Sequence, residues 1–251
     1  YQCWPSSSTA HWTRFTNLLS QATKAVRATT PSAKIILHVE RVSSNTSLQA
    51  DNANYAALTN FYQKMTAAGI DYDIIGLSYY PYFHGALGEL EGAIKKLEAS
   101  YPSKKIMLVE TGYPYAWAVP GSTYDASKTW AYNDDGQKAY TDSLVTMLNK
   151  HSNVNGLFWW WPEYNAKGTS LGGWYNAPLF DSRTGCATSA LSEMKKFLST
   201  TNGISTIKKT DCHAQDDNYY NLSGQRISKP AKGVYIHRGH IINTQHLTPN
   251  T

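Results

Sequence analysis

The run from Lys104 to Trp117 reads KKIMLVETGYPYAW, and its apolar stretch ends on a carboxylate, Glu110. Moving a carboxylate out of water costs on the order of several kcal/mol unless it is paired or hydrogen-bonded. Glu110 is therefore either half of a salt bridge or a group kept for chemistry. Three other apolar runs end in comparable residues. KIILHVE (Lys34 to Glu40) ends in His38 and Glu40, DIIGLSYY (Asp73 to Tyr80) ends in Tyr80, and VNGLFWWW (Val154 to Trp161) carries Trp160. A carboxylate, a tyrosine able to hydrogen-bond it, a histidine and a tryptophan platform are the parts of a sugar-cleaving subsite. Plainer readings stand beside this one: His38 as a satisfied core histidine, Tyr80 as packing before Pro81, and Trp160 as the middle of an apolar run.

The four runs are near-continuously apolar, as strands buried on both faces of a parallel sheet are. Segments of helical period separate them: Trp12 to Ala28, Asn52 to Ala68, Ala86 to Ala99, Asp135 to Lys150, and a last one from Thr188 to Leu198. This order predicts an α/β fold with a parallel sheet, and four units are half of a (β/α)8 barrel. A short doubly wound sheet is the alternative, although no G-x-G-x-x-G follows a strand to support a dinucleotide fold. Strand alternation puts Ile36, His38 and Glu40 on one side, as it does Gly76, Ser78 and Tyr80, and Gly156, Phe158 and Trp160. A curled parallel sheet then brings the strand ends to one mouth, at the edge where such folds carry their chemistry.

Among 251 residues, 18 Tyr and 8 Trp suit flat, amphipathic ligands such as sugars. Six of the cations, set against three carboxylates, lie in the last 44 residues, so the main body is close to neutral. No basic stripe points to nucleic acid. Cys3, Cys186 and Cys212 are odd in number and widely spaced, indicating neither a zinc site nor a disulfide framework. No apolar run reaches the ~18 residues needed to span a bilayer. Residues 201–210 read as a linker between a main domain, 1–200, and a tail, 211–251, whose Ser-Gly, Lys-Pro and Arg-Gly signals predict small hairpins. The chain starts at Tyr1 and reads as processed or as a fragment.

The runs DIIGLSYYPYF, KIMLVETGYPYAW and GLFWWWP, preceded by WPSSSTAHWTRFTNLLSQATKAVRATTPSAKIILHVER, resemble the second half of endo-β-1,4-galactanases, the family 53 glycoside hydrolases. The resemblance covers Tyr1 to Leu198. It implies a (β/α)8 TIM barrel of which only strands five to eight are present, and a retaining endo-hydrolase of the β-1,4-galactan in pectic arabinogalactan. Glu110 falls on the nucleophile, Tyr80 orients it, Trp160 forms the floor under the sugar, and His38 lines the cleft. Trp117 and Trp4 add sugar-binding surface. A polysaccharide is the expected partner, with no cofactor, no metal and no nucleic acid, and the full-length protein is expected to be a monomer.

Three departures accompany the resemblance. The family's acid/base glutamate is expected just upstream of Tyr1. The loop from Pro120 to Asp134 offers only Asp125 and Asp134 where some members carry a calcium-binding stretch, and Trp161 stands where some carry a glutamate. Glu40 could stand in for the acid only if it came within roughly 5 to 5.5 Å of Glu110, and its strand lies two positions away. The tail from Tyr219 to Ile242 resembles the short C-terminal segments of secreted proteins from Bacteroides-like bacteria. That implies a secreted or cell-surface protein, with a hairpin of no function as the alternative. A catalytically incompetent fragment, a galactan-binding surface, and a barrel acting on another neutral β-glycan remain the rival functions.

Overall fold

Apolar runs alternating with amphipathic ones resolve into strand and helix units in the computed structural model, which describes residues 9–40, 42, 55–164, 176–181, 184–198, 218–221, 225–227, 234–237 and 240–243. In chain order these are α1 (Thr9–Thr29), β1 (Ile36–Val39), α2 (Ala56–Ala67), β2 (Ile74–Tyr79), α3 (Pro81–His84), α4 (Leu87–Ser100), β3 (Lys105–Thr111), α5 (Asp134–Leu148), β4 (Val154–Leu157) and α6 (Leu191–Met194). By its contacts the chain divides into two units, Tyr1–Ser205 and Thr206–Thr251. Among the described residues the second holds four short antiparallel strands, β5 (Tyr219–Tyr220), β6 (Arg226–Ile227), β7 (Val234–His237) and β8 (His240–Asn243), in the order β6-β5-β7-β8. Residues 201–210 and Trp4 lie outside the described residues.

β1 to β4 form one parallel sheet in sequential order. Helical spacing supplies its cover. Leu58, Tyr62 and Met65 of α2, Leu90, Ala93, Ile94 and Leu97 of α4, and Tyr140, Leu144 and Leu148 of α5 are buried and belong to one core cluster with Leu37, Ile75, Leu77, Ile106 and Leu108 of the strands. The other face of the sheet carries Ile36, Gly76, Met107 and Gly156: Met107 pairs with Gly76 on one side and Gly156 on the other, and Ile36 lies two residues before His38, the partner of Gly76. A Cβ on Gly76 would lie 2.8 Å from Ile36, and one on Gly156 would collide with the Met107 side chain, so a larger residue at either position would displace its neighbour.

The start of the sheet is tied by charge. Asp73 Oδ2 accepts from the Ile35 amide and from Arg27 Nη2, each at 2.8 Å, while Arg27 Nη1 donates to the Ala33 carbonyl. One carboxylate thus joins the last turn of α1 to the entries of β1 and β2. The Ile35 amide, and then Arg27, hold Asp73 below the usual carboxylate range.

Two expected elements stop well before the ends of their sequence patterns. The fourth strand ends at Leu157 instead of running to Trp161. Its continuing bonds go from the Phe158 amide to the Leu108 carbonyl and from the Trp160 amide to the Thr111 carbonyl, so two residues of one chain span three of the other. That mismatch breaks the ladder. The last helix is a single turn rather than Thr188 to Leu198. Asn149 captures its end, donating to the Lys196 carbonyl and accepting from the Leu198 amide.

Candidate active site

Glu110 reaches the sheet's inner face because β3 carries one residue more than its neighbour. Leu77 pairs with Leu108, but Ser78 pairs with Glu110, leaving Val109 as a bulge. In a regular strand of the same sequence Met107 and Glu110, three residues apart, would point to opposite faces. The bulge places Glu110 beside Ser78 and sends Thr111 outward, where its hydroxyl lies 2.8 Å from that of buried Tyr140. Tyr140 in turn stacks on Tyr113 at 4.7 Å, and Gln137 donates to the Tyr113 and Pro178 carbonyls. Burial pushes the hydroxyls of Tyr113 and Tyr140 well up, so both stay neutral behind the strand end.

Tyr80, the first residue past β2, donates its hydroxyl to Glu110 Oε2 at 3.3 Å. Pro81 follows and opens α3, since its ring suits the first helical position. Within that turn the Tyr80 carbonyl accepts from the His84 amide at 2.8 Å, and the Tyr80 amide donates to His84 Nδ1 at 3.1 Å. Buried His84 faces Glu40 at the end of β1, with Nε2 3.8 Å from a carboxylate that is 72% exposed.

His38 Nε2 lies 2.7 Å from Ser78 Oγ, and Ser78 is the register partner of Glu110. Trp160 is half-buried and stacks at 5.1 Å on Trp161, which packs at 4.6 Å on Tyr164. Trp161 adopts a φ of 47°, uncommon for so bulky a residue. Trp160 and Tyr164 pack on buried Ala177, and a Cβ on Gly112 would touch both Ala177 and the Tyr80 ring. The loop after Glu110 is anchored by buried Asn176, whose Oδ1 accepts from the amides of Ala116 and Trp117 and whose Nδ2 donates to the Trp117 carbonyl. The Trp117 ring is 45% exposed.

Glu110, Tyr80, His38 and Trp160 thus gather at the C-terminal edge of the sheet, and Trp117 is tied to them through its backbone. Ser78, His84 and Asn176 belong to the same group and were not picked out from the sequence as functional. His84 left one signal, its spacing of four from Tyr80 across a proline. Asp125 and Asp134 serve as structural acceptors: Asp125 takes the amide and hydroxyl of Ser127, and Asp134 those of Ser189. Among the described residues no cluster of three or more His, Cys, Asp or Glu side chains is placed to hold a metal ion. No described helix is long and apolar enough to cross a membrane.

A half-buried carboxylate with a tyrosine on one oxygen, beside aromatic platforms, suits attack on a sugar carbon. The family model "Glycosyl hydrolase family 53" matches residues 2–194. The chain belongs to that family. A Niallia circulans protein whose name carries no activity is 29% identical over 189 residues, 68% of this chain and 47% of its own length. The "Arabinogalactan endo-beta-1,4-galactanase" of Thermothelomyces thermophilus is 24% identical over 198 residues, 77% of the family 53 chain and 57% of its own length. The solved "Ignisphaera aggregans GH53 catalytic domain" superposes with a TM-score of 0.60 at 28% identity, covering 77% of this chain and 55% of that one. The family 53 chain therefore has an α/β barrel fold, and it spans about half the length of the curated relatives it matches.

Proposed function

We propose that the chain supplies strands five to eight of a (β/α)8 barrel that hydrolyses internal β-1,4-galactosidic bonds with retention of configuration. The observation that carries this reading is Glu110, turned to the inner face by the β3 bulge and bound by Tyr80. The galactanase names among its relatives support the sugar. A Glu110 oxygen bonds to the anomeric carbon as the glycosidic C–O bond breaks, and the leaving oxygen takes a proton from a carboxylic acid. Water then displaces Glu110, returning its proton to the same acid. That acid is assigned to the part of the barrel which the relatives span and this chain does not. Trp160 forms the sugar floor, His38 with Ser78 lines the cleft, and Trp117 extends it. A polymeric substrate of this kind fits a secreted or cell-surface protein.

The test uses a dinitrophenyl 2-fluoro-galactobioside, whose leaving group departs without an acid. Incubation with the folded chain is expected to give a mass increase that maps to Glu110 and is absent from Glu110→Gln. An adduct on another residue, or a folded chain that gains none, would overturn the assignment of the nucleophile.

A further inference from the structure

We propose that His84 is a positioning residue, a clamp that holds the Tyr80 backbone so that its hydroxyl meets Glu110. The inference rests on the functional reading above and adds to it a residue outside the reacting groups. A backbone amide can only donate, so Nδ1 of His84, 3.1 Å from the Tyr80 amide, is the accepting nitrogen and the ring proton sits on Nε2. Nε2 itself lies 3.8 Å from Glu40 Oε1, near the carboxylate but outside hydrogen-bond reach. The same histidine's amide donates to the Tyr80 carbonyl, so one residue satisfies both backbone groups of Tyr80 and closes the turn Pro81–His84 upon it. Tyr80 is held at φ −128 and ψ 112, an extended conformation that aims the ring toward β3. His84 is 1% exposed, which gives the clamp a fixed frame. A side chain present only for packing would not need the bond from the Tyr80 amide to Nδ1.

The first test reads the clamp without substrate. A long-range proton–nitrogen correlation spectrum of the 251-residue chain near neutral pH is expected to show His84 with Nδ1 bare and Nε2 protonated. The opposite tautomer would overturn the proposal. The second test compares rates of Glu110 labelling. His84→Leu is expected to slow labelling roughly ten- to hundredfold, the size of one hydrogen bond to a charged group, with little change in probe affinity. His84→Asn, whose side-chain oxygen reaches the Nδ1 position, is expected to recover most of the rate, and His84→Gln to recover little. Combined with Tyr80→Phe, His84→Leu is expected to add no further loss, because it acts through Tyr80. Equal rates for Asn and Gln, or multiplied losses in the double variant, would overturn it, and the Asn and Gln pair decides the matter if the leucine variant does not fold. Absence of labelling in the wild type would count against the galactanase reading, and the spectrum would still decide the clamp.

Discussion

A hydrogen bond contributes about 0.5–3 kcal/mol, the most where one partner is charged, and Tyr80 donates one to Glu110 Oε2. In the proposed reaction Glu110 loses its charge on bonding to the sugar, so the role proposed for the tyrosine is to hold the attacking oxygen in line. In a polypeptide spanning the whole barrel, Tyr80→Phe is expected to lower kcat on galactan roughly ten- to hundredfold with KM nearly unchanged. A kcat within twofold of wild type would remove Tyr80 from the mechanism. The residues legible in the sequence were those whose type conflicts with their place: Glu110, His38 and Tyr80 are polar groups ending apolar runs. Ser78 and His84 were not legible. Serine inside DIIGLSYY reads as a tolerated small residue, and its bond to His38 spans 40 residues of chain.

The strand elements were legible from apolar runs, because burial on both faces leaves few polar residues within them. Their ends were less so, since the run to Trp161 stays apolar for packing and stacking where the ladder has stopped. The bulge left no mark in the residue pattern at all. Removing Val109 would still pair the glutamate with Ser78 and would bring the Phe158 and Trp160 amides into step with β3. That variant is expected to melt no lower than wild type while losing on the order of a hundredfold in activity, the penalty of a displacement near 1 Å. Retained activity would make the bulge a structural accident. The Asp73 tie makes a separate claim about elements. Its carboxyl ordinarily titrates near 3.8 and is held lower here, so its stabilisation is full above that value and is lost as pH falls through the lower one. Asp73→Asn keeps an acceptor for Ile35 but loses the charge facing Arg27. The variant is expected to be less stable by about 1–2 kcal/mol at neutral pH. Below about pH 4 the gap in urea midpoint should close, and a gap independent of pH would show that charge plays no part.

At the scale of the molecule, the sheet described here is open. Among the described residues β1 pairs with β2 and β4 with β3, so each has an outer edge, and Ile36 and Phe158 on the inner face are 38% and 56% exposed. A closed barrel has neither edges nor an exposed inner face. Open edges carry unpaired amides and carbonyls, and an apolar face beside them makes pairing with another chain favourable. The chain alone is therefore expected to self-associate, eluting from a sizing column ahead of a monomer and shifting with concentration. Phe158→Glu and Ile36→Lys together place charges on that face without touching the helix-packed core, and should move the equilibrium toward monomer. In a polypeptide that completes the barrel, the same substitutions fall inside a closed, packed interior and should instead lower its stability. The opposite signs separate the two structures. A wild-type chain that runs as a monomer at every concentration would mean that its own residues cover the face, and the half-barrel reading would then fail at the scale on which it was made.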